Sequence, residues 1–213
     1  MRKQKEPKAL DYFAAYQIWI KLFDPFTPQK VKTALVDLFR RDLEMPFDWS
    51  TYHGIESKEL IEQIRHMQPN RTIGIVMTGG YPFGRRVVAA ANELGHDPKV
   101  VLLGASVRNS MGPKKFRDRS AMGSEQLYVP KDHLEILCGN LSTPILLVDE
   151  PPDTGATLKK IALTLRGIGH TGEIRVITTN LSMGVMSLEE CIEPRQNLFV
   201  VWARPLAILT EAS

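Results

Sequence analysis

Residues 145–157 read ILLVDEPPDTGAT. Four apolar residues run without alternation into Asp149 and Glu150, then Pro151 and Pro152, then a segment of small residues that opens a helical pattern. An unbroken apolar run is how a strand buried on both faces reads, and in open α/β sheets ligands meet the chain beyond the carboxyl ends of such strands. Asp153, Thr154, Gly155, Ala156 and Thr157 therefore fall where a strand ends and a helix begins. The free N–H groups of a helix start, with about half a positive charge from the dipole, suit an anion. Gly155 and Ala156 let the backbone approach closely, and Thr154 and Thr157 add hydroxyl donors, which is the chemistry of a phosphate cradle. Taken alone, a capped helix start with Asp153 or Thr154 as N-cap is the simpler reading. The two acids change that. Adjacent carboxylates at the end of an apolar strand repel each other unless they face water, a metal or a polyol, and vicinal ribose hydroxyls are donors that such a pair accepts. The stretch reads as a sugar-phosphate-binding loop fitted to a ribose 5-phosphate unit.

On either side the chain alternates strands and helices. Thr72–Met77 is a β-rich apolar run, Gly79-Gly80 a turn, and 83–94 has helical spacing stopped by Gly95. Val100–Leu103 reads as a second buried strand and Leu134–Leu137 as a short one. After the central strand come a helix over about 155–168, a strand at Ile174–Thr178, a weak helix at 187–191 and a last strand at 198–202. This order predicts βαβ units and an α/β fold with a parallel twisted sheet flanked by helices. Residues 1–70 read as an added helical segment before a core over 71–213. In that segment Leu10, Phe13, Ala14, Ile18 and Leu22 form one helical stripe, widened by Tyr12, Tyr16 and Trp19. A second helix starts at Thr27 or Pro28, with Val31, Leu35, Leu38 and Phe39 inward and Lys30, Lys32, Arg40 and Arg41 as a solvated face. A third runs over 56–67.

Composition narrows the classes. A chain of 213 residues with 43% hydrophobic and 24% charged residues is ordinary for a globular protein, and its net charge of +3 is too small to argue for nucleic acid. No run approaches the roughly 18 apolar residues of a membrane span. The basic start MRKQKEPK lacks the apolar region of a signal peptide, and Cys138 and Cys191 make neither a disulfide framework nor a zinc site. A reducing, cytoplasmic setting is the default expectation. The five histidines have no catalytic spacing and receive no role.

ILLVDEPPDTGAT resembles the signature of the type I phosphoribosyltransferases, in which a hydrophobic strand leads to two acids, two usually apolar residues and an Asp/Ala-Thr-Gly-x-Thr phosphate loop. The resemblance implies that Asp149 and Glu150 hold the ribose hydroxyls of phosphoribosyl pyrophosphate and that Thr154, Gly155, Ala156 and Thr157 hold its 5-phosphate. Asp153 would lie beside the reacting base as the catalytic residue, and Mg2+ would arrive with the pyrophosphate. The stretch from Val76 to Gly84 is similar to the family's pyrophosphate loop, with Thr78, Gly79 and Gly80 as contacts. The aperiodic segment 106–124 carries Arg108, Lys114, Lys115, Arg117 and Arg119, opposed only by Asp118, and looks like the family's mobile loop that closes over the pyrophosphate. A solvated basic loop is the plainer alternative. The implied activity is transfer of the phosphoribosyl group to a nitrogen acceptor, a nucleobase first among them. Tyr81, Phe83, Trp202 and Arg204 are candidates for acceptor contact, although core packing explains the aromatics equally well. The helices before Pro69 offer a hood, a homodimer surface or a docking site for a protein partner.

The chain departs from the family pattern at three places. Pro151 and Pro152 replace the apolar pair and remove two N–H groups, Glu150 stands where Asp is commoner, and Thr78 stands where many members carry Arg or Lys. Two other readings stay open. A phosphoribosyltransferase-like sensor would bind phosphoribosyl pyrophosphate or a nucleotide without turnover. A P-loop ATPase would use ILLVDEP as its acidic strand and Gly79–Gly84 as its glycine loop, but Arg85-Arg86 follows where Lys-Ser or Lys-Thr is required.

Overall fold

The computed structural model describes residues 9–47, 49, 54–67, 71–77, 79–104, 126–150, 156–179, 184–187 and 207–211. In chain order these form α1 (Tyr12–Phe23), α2 (Gln29–Glu44), α3 (Gly54–Arg65), β1 (Thr72–Val76), α4 (Tyr81–Glu93), β2 (Lys99–Leu103), β3 (Gln126–Tyr128), α5 (Lys131–Cys138), β4 (Ile145–Asp149), α6 (Ala156–Gly167), β5 (Ile174–Thr178), β6 (Met186–Ser187) and β7 (Ala207–Leu209). Five strands make one sheet in the order β2-β1-β4-β5-β6. The first four are parallel, whereas β6 runs antiparallel to β5, so the sheet is mixed at that edge where a purely parallel one was expected. The protein is α/β, a mostly parallel sheet flanked by helices.

Strand parity decides what each face of the sheet buries. Ile73, Ile75, Leu102, Leu146, Val148 and Ile177 point to one side and share an apolar cluster with α1, α2, α3 and α4. Val76, Val101, Leu103, Ile145, Leu147, Ile174 and Val176 point to the other and pack with Leu137 of α5 and Leu158, Ile161 and Leu165 of α6. Double coverage is why these strands read as continuous apolar runs.

The N-terminal helices bury faces that overlap those expected, with Trp19, Leu22 and Phe39 buried and Leu10, Ile18 and Leu35 packed against the same cluster, but three residues depart from the expectation: Phe13, Val31 and Lys32. In α1 the buried residues are Ala15, Trp19, Leu22 and Phe23, while Phe13 is 75% exposed. Trp19 sets the rotation, because its ring meets Phe23 edge-on at 4.7 Å and lies over Gly104 at the end of β2. In α2, Val31 is exposed and Lys32 is buried, with Nζ donating to the Glu211 carbonyl at 2.8 Å. Asp42, also of α2, is 3% exposed and binds three groups at once. It accepts from Leu10 N and from the Tyr81 hydroxyl, both at 2.8 Å, and pairs with Arg85 Nε at 2.8 Å. Burial and this carboxylate push the Tyr81 phenol upward, so it stays a donor.

The strand expected at Leu134–Leu137 is a correction: these residues lie in α5. Pro130 precedes the helix, Asp132 stands in its first turn, and His133 and Leu137 bury one face at a spacing of four. Strands β3 and β7 were not expected; they pair parallel in a separate two-stranded sheet. Ser187, expected to open a weak helix, belongs to β6, and residues 188–191 and the strand expected at 198–202 lie outside the described residues.

His133 has a structural task. Strand β2 ends the sheet, and on its open side Leu102 N donates to His133 Nδ1 at 3.0 Å. Burial holds His133 down to about 4, against a smaller upward pull from Asp132 and a downward push from Arg40, so Nδ1 stays unprotonated and can accept. An edge N–H is thereby covered. His133→Leu strands this amide and should cost about 1–3 kcal/mol in a urea melt. Because the folded value lies below the ordinary 6.5, the unfolded chain binds the extra proton, and wild type should lose stability as pH falls from 6.5 towards 4. The leucine variant should show a shallower acid slope across that window.

Candidate functional site

The sheet order reverses between β1 and β4: β2 lies outside β1, and β5 lies outside β4. The crevice beyond the carboxyl ends of the strands at such a reversal is where open α/β sheets take ligands. Strand β1 leads into the turn at Gly79-Gly80 and then α4, while β4 ends in Asp149, followed by Glu150.

The two stretches, some seventy positions apart in the chain, touch. A Cβ on Gly80 would stand 2.5 Å from the Val148 carbonyl oxygen, 2.8 Å from that of Val76 and 2.9 Å from Asp149 Cα. No side chain fits there, and only glycine lets the turn close onto both strands. At Gly79 the corresponding neighbour is Glu150 Oε2, at 2.7 Å from the position of an added Cβ. The Glu150 carboxylate therefore lies on the glycine turn. Gly80 N donates to Val76 O at 3.0 Å, and Gly84 N to Gly80 O at 2.7 Å, which draws the turn directly into α4.

Asp149 is partly buried, and its Oδ1 accepts from Glu150 N at 2.8 Å. Burial raises its carboxyl to about 7; the bond from Glu150 N opposes this and the Glu150 charge adds to it. Near neutral pH the pair thus combines a carboxyl poised between its two states with an exposed neighbouring acid. Thr178, at the end of β5, is the register partner of Asp149. It is 1% exposed, and its Oγ1 has no hydrogen-bond partner among the described residues.

Of the residues singled out from sequence, Gly79, Gly80, Asp149 and Glu150 come together in this way. Ala156 and Thr157 are the first two residues of α6, the helix expected from about residue 155. Thr78, Arg108, Lys114, Lys115, Arg117, Asp153, Thr154 and Gly155 lie outside the described residues, as do Trp202 and Arg204. Tyr81 and Phe83 are core residues, 0% and 3% exposed, and Tyr81 spends its hydroxyl on Asp42; neither is open to an acceptor. Thr178 was missed by the sequence reading. Its only mark there is a polar residue closing an apolar strand, which is also common where a strand simply meets solvent.

Among the described residues no group of three or more His, Cys, Asp or Glu side chains is placed to hold a metal. Among the same residues no helix is long and apolar enough to cross a membrane.

Two outcomes follow from this geometry. Gly80→Ala should destabilise the protein by about 2 kcal/mol or more in chemical denaturation, because the added methyl meets backbone that cannot move aside. Asp149 carries no folding penalty below the ordinary 3.8, loses stability as pH climbs from there to about 7, and is level above. Asp149→Asn should therefore melt higher than wild type above pH 7, by at most about 4 kcal/mol, and match it near pH 4. The chain matches no protein-family model, no curated protein and no solved structure, so the reading of this site rests on its own geometry.

Proposed function

We propose that the protein has a type I phosphoribosyltransferase-like core and transfers the phosphoribosyl group of magnesium-bound phosphoribosyl pyrophosphate to a nitrogen acceptor, a nucleobase first among them. One observation carries this reading: the Gly79-Gly80 turn and the Asp149-Glu150 pair meet where the sheet order reverses, with the start of α6 next in the chain. Asp149 and Glu150 accept the ribose hydroxyls, Thr154–Thr157 take the 5-phosphate, and the glycine turn with Arg108, Lys114, Lys115 and Arg117 takes the pyrophosphate. The acceptor nitrogen bonds to C1 of the ribose as the C1–O bond breaks, pyrophosphate leaves with the electron pair, and the nitrogen's proton passes to Asp153. The magnesium carried by the substrate offsets charge on the pyrophosphate oxygens. The work of this chain is to orient the ribose and to stabilise the charge that develops on it.

The ATPase alternative loses support from the same region. Helix α4 begins at Tyr81, so Gly84 lies in its first turn and not in a phosphate-wrapping loop, and Arg85 is paired with Asp42. The sensor alternative has one observation in its favour. The Glu150 carboxylate lies on Gly79, where the pyrophosphate must come, so binding has to displace it.

A thermal-shift titration with phosphoribosyl pyrophosphate and magnesium, against ATP and magnesium, tests the central claim. At a hundredfold excess over Kd the melting point should rise by about 5–10 °C with phosphoribosyl pyrophosphate alone. Asp149→Asn/Glu150→Gln should abolish the rise. No rise in wild type sinks the reading, and a rise with ATP alone revives the ATPase. Release of pyrophosphate with a panel of bases and amines then separates enzyme from sensor.

A further inference from the structure

Thr178 and Asp149 are register partners at the carboxyl ends of adjacent parallel strands, so their side chains leave the same face of the sheet. That face carries α6, because Val176 and Leu147, two residues earlier on each strand, belong to its apolar cluster. Neighbouring strands lie about 4.8 Å apart, which puts a threonine hydroxyl within one side-chain rotation of an aspartate on the next strand. Thr178 Oγ1 is buried and without a partner among the described residues. Valine has the same shape and would bury the site without stranding a hydroxyl, so the oxygen costs stability where it stands. Asp149, for its part, uses only Oδ1 among the described residues, on Glu150 N, which leaves Oδ2 open.

We propose that Thr178 is a positioning residue for Asp149: its hydroxyl donates to the ionised carboxylate and holds it in the orientation in which it accepts a ligand's hydroxyl. The inference deepens the functional reading above and borrows its ligand from it, but the contact itself is independent of which ligand binds. In the structure Asp149 accepts from Glu150 N, and Thr178 Oγ1 has no partner among the described residues. When the carboxylate ionises, Oδ2 turns to Thr178 Oγ1, whose proton has no other acceptor among the described residues. The charged group that acts on Asp149 is Glu150. Of the cations on the elements packed around it, Arg85 of α4 is held by Asp42 and Arg86 lies over the Phe83 ring, while Lys159 and Lys160 of α6 do not shift it.

The test compares Thr178→Val, which keeps the shape, with Thr178→Ser, which keeps the hydroxyl. Asp149 is followed by carboxyl-carbon NMR across pH, with Asp149→Asn to assign its signal, and binding of magnesium phosphoribosyl pyrophosphate is measured at pH 8. The valine variant should raise the Asp149 midpoint by about 0.5–1 unit and weaken binding about tenfold, with serine restoring both. An unchanged midpoint in Thr178→Val overturns the proposal, whatever happens to binding. If wild type fails to bind phosphoribosyl pyrophosphate, the functional reading falls and the midpoint still decides the role of Thr178. Should the valine variant not fold, Thr178→Ala is read in the same way against Thr178→Ser.

Discussion

The Asp42 carboxylate is the contact through which the N-terminal helices and the site hold each other. It is buried on α2, yet it binds the backbone at Leu10 ahead of α1 and two side chains, Tyr81 and Arg85, in the first turns of α4. A buried charge is costly unless it is paired and hydrogen-bonded, and losing one partner leaves the rest exposed to that cost. Here the pairing fixes the start of α4, which is also the end of the glycine turn. Tyr81 follows Gly80 directly, so the position of the turn over β4 is set from one side by the Gly80 contacts and from the other by Asp42. Helices that read as an appendage to the sheet thus contribute to the geometry of its crevice.

The site is built from opposed requirements. The turn must come within contact distance of β4, which only a residue without a side chain allows, and Asp149 must stay at the strand end although burial works against its charge. The outcome is uneven. Glu150 is exposed and lies on the turn, while Asp149 is held back from ionising until about pH 7. Such a pair is responsive, because a donor or cation arriving in the crevice favours the charged form and works against the burial that opposed it.

Much of the sheet was legible because double burial writes itself into the chain: TIGIV, VLL, ILLV and IRVIT stand out as apolar runs between turns. The same logic misled at Leu134–Leu137, where LEIL has no visible period over four residues and its helix announces itself only through Pro130 and Asp132. The burial of Lys32 was illegible for a different reason, since its acceptor at Glu211 lies at the far end of the chain. On α1 Trp19 and Leu22 were read correctly, but Phe13 was placed inward and Ala15 missed because Phe13 is the more hydrophobic, and only the Trp19 packing decides between them. Within the site, the acids and glycines were readable as residue types, but their contact depends on strand order, which no local pattern states. Thr178 was out of reach because its meaning depends on what stands beside it on β4.

Unpaired buried polar atoms are not confined to this edge of the sheet. Arg71 before β1 and His170 before β5 lie at the opposite ends of the strands, 4% and 2% exposed, with Nε and Nη1 of the one and both ring nitrogens of the other lacking partners among the described residues. An unsatisfied group is therefore insufficient to mark a site; an ordered water can serve it. At the carboxyl edge three independent features coincide: the reversal of strand order, a glycine turn that admits no side chain, and a carboxyl whose charge is held in balance. Thr178 acquires significance by standing in register with that carboxyl. Arg71 has its counterion in Glu173, 3.5 Å away, and no comparable convergence around it among the described residues. The coincidence, more than any single residue, is what makes the carboxyl edge of the sheet the candidate site.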